Sequence, residues 1–284
     1  MRVQRFATLA DIDASTPTIE EREEYEEPVR QGMVMYAGVD YRRILYRAEN
    51  EADVIVWDGG NNDFPFFAPD LHICVADPLR PGHELGYHPG ETNLRMADVV
   101  VINKLDSAEA AAVAAVAANV AATNPRATVI RAESPVTLEL GPTLAGARAL
   151  VVEDGPTLTH GGMPYGVGTV AARQAGATSL VDPRPHAVGS IADTFRAYPS
   201  IGLVLPAMGY GKHQIEELRA TIDAADCDVV VAGTPIGLRR VVGTARQVRQ
   251  ARYELRELGS PDLADVLAPI LAAASPTRAV AAAR

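Results

Sequence analysis

Three short stretches of this sequence put acids, amides and cations where an apolar run ends, and each brings a different chemistry within reach. The first is Trp57-Asp58-Gly59-Gly60-Asn61-Asn62-Asp63. An aspartate that closes a hydrophobic run and is followed by glycines can hold Mg2+ through a water shell while the backbone approaches a terminal phosphate. The same letters also write an ordinary Asp-Gly turn, although such a turn needs only one of Asn61, Asn62 and Asp63. The second stretch is Val99-Val100-Val101-Ile102 running into Asn103-Lys104-Leu105-Asp106. After a buried strand, this pattern suits a purine pocket in which Asp106 accepts from the base while Asn103 and Lys104 brace it. Asp106 can also cap the alanine-rich helix that follows, and the two roles are compatible.

The third stretch runs from Ala76 to Arg95 and gathers Arg80, His83, His88 and Arg95 in one polar loop of an otherwise acidic chain. Cations collected against the overall charge suit a small polyanion, because arginine grips phosphate oxygens in bidentate fashion. The alternative is a solvated loop with scattered surface pairs. A zinc site on the two histidines lacks the cysteines or carboxylates that would complete it. Pro206-Ala207-Met208-Gly209-Tyr210-Gly211-Lys212-His213 resembles a phosphate loop, but Pro206 and His213 break the Walker pattern. Its amides at a helix start suit either a secondary anion contact or a tight turn. The loops at 155–163 and 182–186 have no assigned role at this level.

The elements that must position these residues are legible in the same sequence. The chain has 284 residues, 48% of them hydrophobic, which is enough for a sizeable core and excludes low-complexity disorder. Two cysteines, Cys74 and Cys227, are too few for a disulfide scaffold and fit a cytoplasmic protein with reduced thiols. A net charge of -10 without a basic patch argues against nucleic acid as a partner. The Ala110–Ala122 stretch is too short and too weakly apolar for a membrane span, and the N-terminus lacks a signal-peptide core.

Thr18 and Glu21 form a capping-box pattern that starts an acidic surface helix. A second helix is expected over 41–50, leading into a strand at 53–57. Further strands are expected at 71–76, 98–102, 127–131, 149–153, 179–181, 202–205 and 228–232, several of them continuous apolar runs of the kind covered on both faces. Helices are expected at 108–122, 168–174, 189–198, 212–224 and 261–273, the last capped by Ser260 with Pro261 in its first position. Residues 249–255 read as an edge strand or as a helix. The expected plan is α/β, a doubly wound and mostly parallel sheet in a three-layer architecture like that of the P-loop NTPases. Residues 1–45 form an N-terminal segment, 46–274 one nucleotide-binding-like domain, and 275–284 a disordered tail. In such sheets ligands bind beyond the carboxyl ends of the strands, where the three stretches lie.

The run VIVWDGGNNDFPFFAPDLHICVADPLRPGHELGYHPGETNLRMADVVVINKLD, followed in order by VEDGPTLTHGGMPYG, VDPRPHAVGSI and LPAMGYG, resembles the cyclic 2,3-diphosphoglycerate synthetase family. The resemblance covers residues 3–255. It implies an ATP-dependent ligase that closes 2,3-diphosphoglycerate into an intramolecular phosphoanhydride with Mg2+ and K+. It places Asp58 at the magnesium, Asn103 and Asp106 at the base, and Arg80, His83, His88 and Arg95 at the substrate phosphates; the motifs themselves add Lys104 to the base pocket and Asn61 and Asn62 to the substrate side. It also implies a phosphate-binding glycine loop upstream of residue 1, carried by the missing part or by a companion polypeptide, and a homo-oligomer acting on a small phosphorylated metabolite. Asn-Lys-Leu-Asp spells guanine, so GTP stands beside ATP. The alternative is a non-catalytic or GTPase-like nucleotide-binding regulator.

Overall fold

The protein is described here by a computed structural model covering residues 2–60, 63–208 and 211–273. The chain forms two compact units, one of residues 4–37 and 136–253, the other of residues 2–3, 38–135 and 254–273. The expected boundary at residue 45 lies near the passage at Gly38, and the stretch expected as one domain, 46–274, is shared between both units. The tail expected at 275–284 lies outside the described residues.

The chain starts with β1 (Gln4–Phe6), α1 (Leu9–Ser15), α2 (Ile19–Arg30) and β2 (Met35–Ala37). Thr18 caps α2 as the sequence predicts, its hydroxyl accepting from the Glu21 amide while Glu21 returns to the Thr18 amide. This helix is not simply a surface element. Glu26 is buried on it and ion-paired to Arg22, Arg30 and Arg240.

The chain then enters the other unit with α3 (Tyr41–Ala48), β3 (Ile73–Ala76), α4 (His83–Gly86), α5 (Gly90–Met96), β4 (Val99–Ile102), α6 (Ala110–Thr123) and β5 (Thr128–Glu133). β3 pairs with β4 and β4 with β5, both in parallel. The four residues of β4 are all buried because both faces are covered. Val100 and Ile102 face Leu94, Val116 and Val120 from α5 and α6. Val99 and Val101 face the other way, in a cluster that includes Leu263 and Val266.

Back in its first unit the chain forms β6 (Val136–Leu138), β7 (Arg148–Asp154), α7 (Gly155–Thr159), α8 (Val167–Gln174) and β8 (Ser179–Leu180). It continues with α9 (Gly189–Ala197), β9 (Leu205–Ala207), α10 (Lys212–Ala224), β10 (Val229–Gly233), α11 (Leu238–Val242) and β11 (Val248–Tyr253). The strand order is β6-β11-β10-β7-β8, and β9 joins the same edge of β7 further along. All pairings are parallel except β11 with β6. The last elements, β12 (Arg256–Glu257) and α12 (Leu263–Ala273), return to the unit of β4, where β12 runs antiparallel to β5.

The architecture is therefore α/β with mostly parallel strands, as expected, but it uses two separate sheets and a two-stranded ribbon instead of one doubly wound sheet. Three local expectations are corrected. The run 53–57 is not a strand, and Val54 and Val56 are exposed; β-branched residues favour extended backbone, but a strand also needs a neighbour to pair with. Residues 248–253 form an interior strand, not an edge, because they pair with β10 on one side and β6 on the other, and the Arg249 guanidinium is absorbed by the carbonyls of Glu139 and Pro142. Asp262, not Ser260, caps the last helix, its Oδ1 accepting from the Asp265 amide at 2.8 Å. Among the described residues no helix is long and apolar enough to cross a membrane.

Candidate functional site

The register of β3 against β4 sets Ala76 beside Ile102, so the residues that follow, Asp77 and Asn103, leave the sheet side by side. The Asn103 amide donates to the Ala76 carbonyl at 3.1 Å. Lys104 then adopts a left-handed backbone, φ +58°, unusual for a residue with a side chain. Its Nζ lies 2.8 Å from Asp77 Oδ2, which also accepts from Arg80 Nη2 at 3.2 Å. Burial alone would raise the Asp77 carboxyl, but the Lys104 ammonium and, more weakly, Arg80 hold it below the ordinary aspartate value. Asp77 organises this turn, and the sequence reading had not singled it out.

Asp106 reaches across to the next strand end, where its Oδ1 accepts the Ser134 amide at 3.0 Å. It does not cap α6, whose cap position is Glu109. The exposed Asp106 carboxylate is thus held by the Ser134 amide, and in the same segment the Asn103 Oδ1 is buried without a hydrogen-bond partner. Both groups are hydrogen-bond acceptors.

The other expected residues are placed differently. Asp58 is exposed on irregular backbone, and Asn61 and Asn62 lie outside the described residues. Asp63 accepts the Gly60 amide at 3.1 Å. Magnesium is commonly held by one or two carboxylates plus substrate phosphates, and Asp58 offers one such carboxylate. Among the described residues no group of three His, Cys, Asp or Glu side chains is placed to hold a metal ion. Arg80 is engaged by Asp77, and Arg95 by Glu91 at 2.5 Å. His83 meets the edge of Tyr87 and His88 that of Phe64. Among the described residues no hydrogen bond, ion pair or ring contact joins any two of these four cationic candidates.

The other unit holds a second group of strand ends, beside a reversal of the winding. From β7 the chain passes first to β8 and β9 on one side, then to β10 and β11 on the other, so its winding reverses between β7 and β10. That reversal is where open parallel sheets receive ligands. Glu153 and Asp154 end β7 there, and Gly233 ends β10. Glu153 is fully buried, its carboxylate accepting from the amides of Gly166, Gly168 and Thr169 and from the Thr169 hydroxyl at 2.8–2.9 Å. Gly168 is required by this clamp, since a Cβ there would come within 3.0 Å of Glu153 Oε2. Asp154 accepts from the amide and hydroxyl of Thr157 at 3.1 and 2.5 Å. The motif VEDGPTLTHGG is legible in the sequence, whereas the partners of Glu153 are given only by the fold.

No protein-family model matches the chain. A protein from Thermococcus kodakarensis named arginine synthetase ArcE is 58% identical to it over 265 residues, 93% of this chain and 59% of the relative. The chain thus spans about three fifths of that relative's length.

Proposed function

We propose that this chain is the base-binding and substrate-binding part of a nucleotide-dependent synthetase that forms a C–N bond and whose product carries a guanidinium group. The observation that carries this reading is the inversion of charge at the two strand ends. Arg80 and Arg95, the cations expected for a bisphosphate, are each engaged by a carboxylate, whereas β7 ends in two carboxylates, Glu153 and Asp154. The name of the Thermococcus kodakarensis relative, arginine synthetase, supports the same chemistry.

In this reading the Asn103–Asp106 turn holds the purine of ATP or GTP, and Asp58 contributes to a magnesium shell completed by phosphates. The nucleotide would supply a phosphoryl group to the oxygen on the carbon to be joined, and the nitrogen that forms the C–N bond would displace that oxygen as phosphate. The phosphate cradle comes from a further segment or a companion polypeptide. The longer relative supports that part of the proposal, as does the outer edge of β3, where Val75 is 64% exposed.

The motif run that resembles the cyclic 2,3-diphosphoglycerate synthetase family favours a second reading, closure of that bisphosphate, with Arg80, His83, His88 and Arg95 on the phosphates. The two are separated by competing ATP, GTP and XTP against a fluorescent nucleotide, then titrating 2,3-diphosphoglycerate and L-arginine onto the same protein. The first reading expects purine binding that falls in Asp106→Asn, and binding of arginine. Binding of the bisphosphate alone, reduced in Arg80→Ala and Arg95→Ala, would replace it with the second.

A further inference from the structure

The two ends of the β12-β5-β4-β3 sheet are built differently. β12 is two residues long and both are charged, Arg256 and Glu257, a short polar edge of the kind that discourages further pairing. β3 is Ile73-Cys74-Val75-Ala76, without charge or proline, and among the described residues no strand pairs with its outer side. The His72 and Ala76 carbonyls accept the Val99 and Asn103 amides, each at 3.1 Å, so these residues turn their backbone groups toward β4. By the alternation of a strand, the amides and carbonyls of Ile73 and Val75 point to the open side.

One face of the sheet is also left unfinished at β3. The register sets Ile73 beside Val99 and Val75 beside Val101, so these four side chains lie on one face. Over β4 and β5 that face is covered, with Val99, Val101, Ile130 and Ala132 buried in a cluster that takes in Leu263 and Val266 of α12. Over β3 it is not, and Val75 and Ile73 are both exposed. The opposite face has no such gap, because Cys74 and Ala76 pack with Val100 and Ile102. The same unit exposes a second β-branched run, Val54, Ile55 and Val56. An apolar edge strand with open backbone groups and a bare face is a template for another strand.

We propose that β3 receives a strand from a polypeptide segment outside this chain, the counterpart of the part of the Thermococcus kodakarensis relative that lies outside the match. That part is about two fifths of the relative, long enough to bring both a strand and the elements that cover one. Main-chain hydrogen bonds to Ile73 and Val75 hold the added strand, and its apolar side chains continue the face that those two residues leave bare. A second copy of β3 is a poorer occupant, since it is four residues long and the α12 that comes with it already lies over its own β4 and β5. β3 ends at Asp77 beside Asn103, so one loop flanking the added strand lies at the same end of the sheet as the Asn103–Asp106 turn. Only the content of that loop, the phosphate cradle, rests on the function proposed above.

The test is co-expression of the full chain with the unmatched part of the Thermococcus kodakarensis relative, followed by purification and sedimentation. A one-to-one complex is expected, in which amide exchange at Ile73 and Val75 slows roughly tenfold or more against the chain alone. Val75→Lys sets a charge on a residue already 64% exposed, and should lose the complex while keeping its thermal unfolding transition. Leu140→Lys, at a residue 98% exposed in the other unit, should retain the complex. Should Val75→Lys fail to fold, the exchange of the two amides in the wild-type complex decides alone. No complex, a complex that survives in folded Val75→Lys, or one in which both amides exchange as before overturns the proposal. A dimer of the chain alone that Val75→Lys abolishes overturns it too, because it gives the edge to a second copy. Purine binding keeps the two readings apart. A complex that binds neither ATP nor GTP supports the docking surface and removes the nucleotide reading, whereas purine binding by a chain that forms no complex does the reverse.

Discussion

Lys104 and Asp77 stand 27 residues apart in sequence and 2.8 Å apart in space, and this ion pair joins the ends of two neighbouring parallel strands. It explains why Lys104 tolerates a left-handed backbone. The conformation turns its side chain back toward the acid that leaves β3, and the charge-assisted contact offsets the strain.

Asp77→Asn is expected to destabilise the protein by about 1.5 to 3 kcal/mol, the worth of hydrogen bonds to a charged group. A double-mutant cycle with Lys104→Met, read from denaturant midpoints, should show coupling between the two positions. Strictly additive losses would mean that the pair contributes nothing. The pH dependence has a definite sign. Because the folded carboxyl lies below its ordinary value of 3.8, its stabilising effect is present above that value and is lost as pH falls through the lower folded one.

Glu153→Gln probes the second strand end. The carboxylate receives three amides and one hydroxyl, and an amide side chain in its place turns an NH2 group toward at least one buried N–H. A loss of about 1 to 3 kcal/mol is expected, the cost of leaving such a donor unpaired. Hydrogen exchange should locate it, with the amides of Gly168 and Thr169 losing protection first. Unchanged protection at both would show that the clamp is not what orders the start of α8.

Glu23 gives the opposite pH signature. Its folded pKa, about 10, lies above the ordinary value of 4.5, so the stability it contributes is fully present below 4.5 and is lost as pH rises toward 10. Glu23→Gln mimics the protonated form and should flatten that decline. Denaturant midpoints at pH 5, 7 and 9 should therefore diverge upward for the variant. Parallel curves for variant and wild type would mean that Glu23 is ionised in the native protein.

Local physics made much of the protein legible before its structure was known. The runs that become β4, β7 and β10 are continuous stretches of Val, Ile, Leu and Ala, a composition suited to strands covered on both faces, and the Thr18–Glu21 pair marks a helix start because both halves of a capping box are local. The Asn103–Asp106 turn was likewise recognisable, since four consecutive residues after a buried strand carry the whole pattern. What failed depended on partners distant in the chain. Val54–Val56 has strand propensity but no ladder, and no periodicity in the sequence could reveal that the strands would be divided between two sheets. The acidic α2 looked like a solvated surface helix, because charge on a helix says nothing of what the helix lies against. Only the tertiary structure brought Glu23 to Thr234, 211 residues away, and set both against Asp154 at the reversal of the sheet. Burial and long-range pairing change what a carboxyl group does, and neither is a property of its neighbours in sequence.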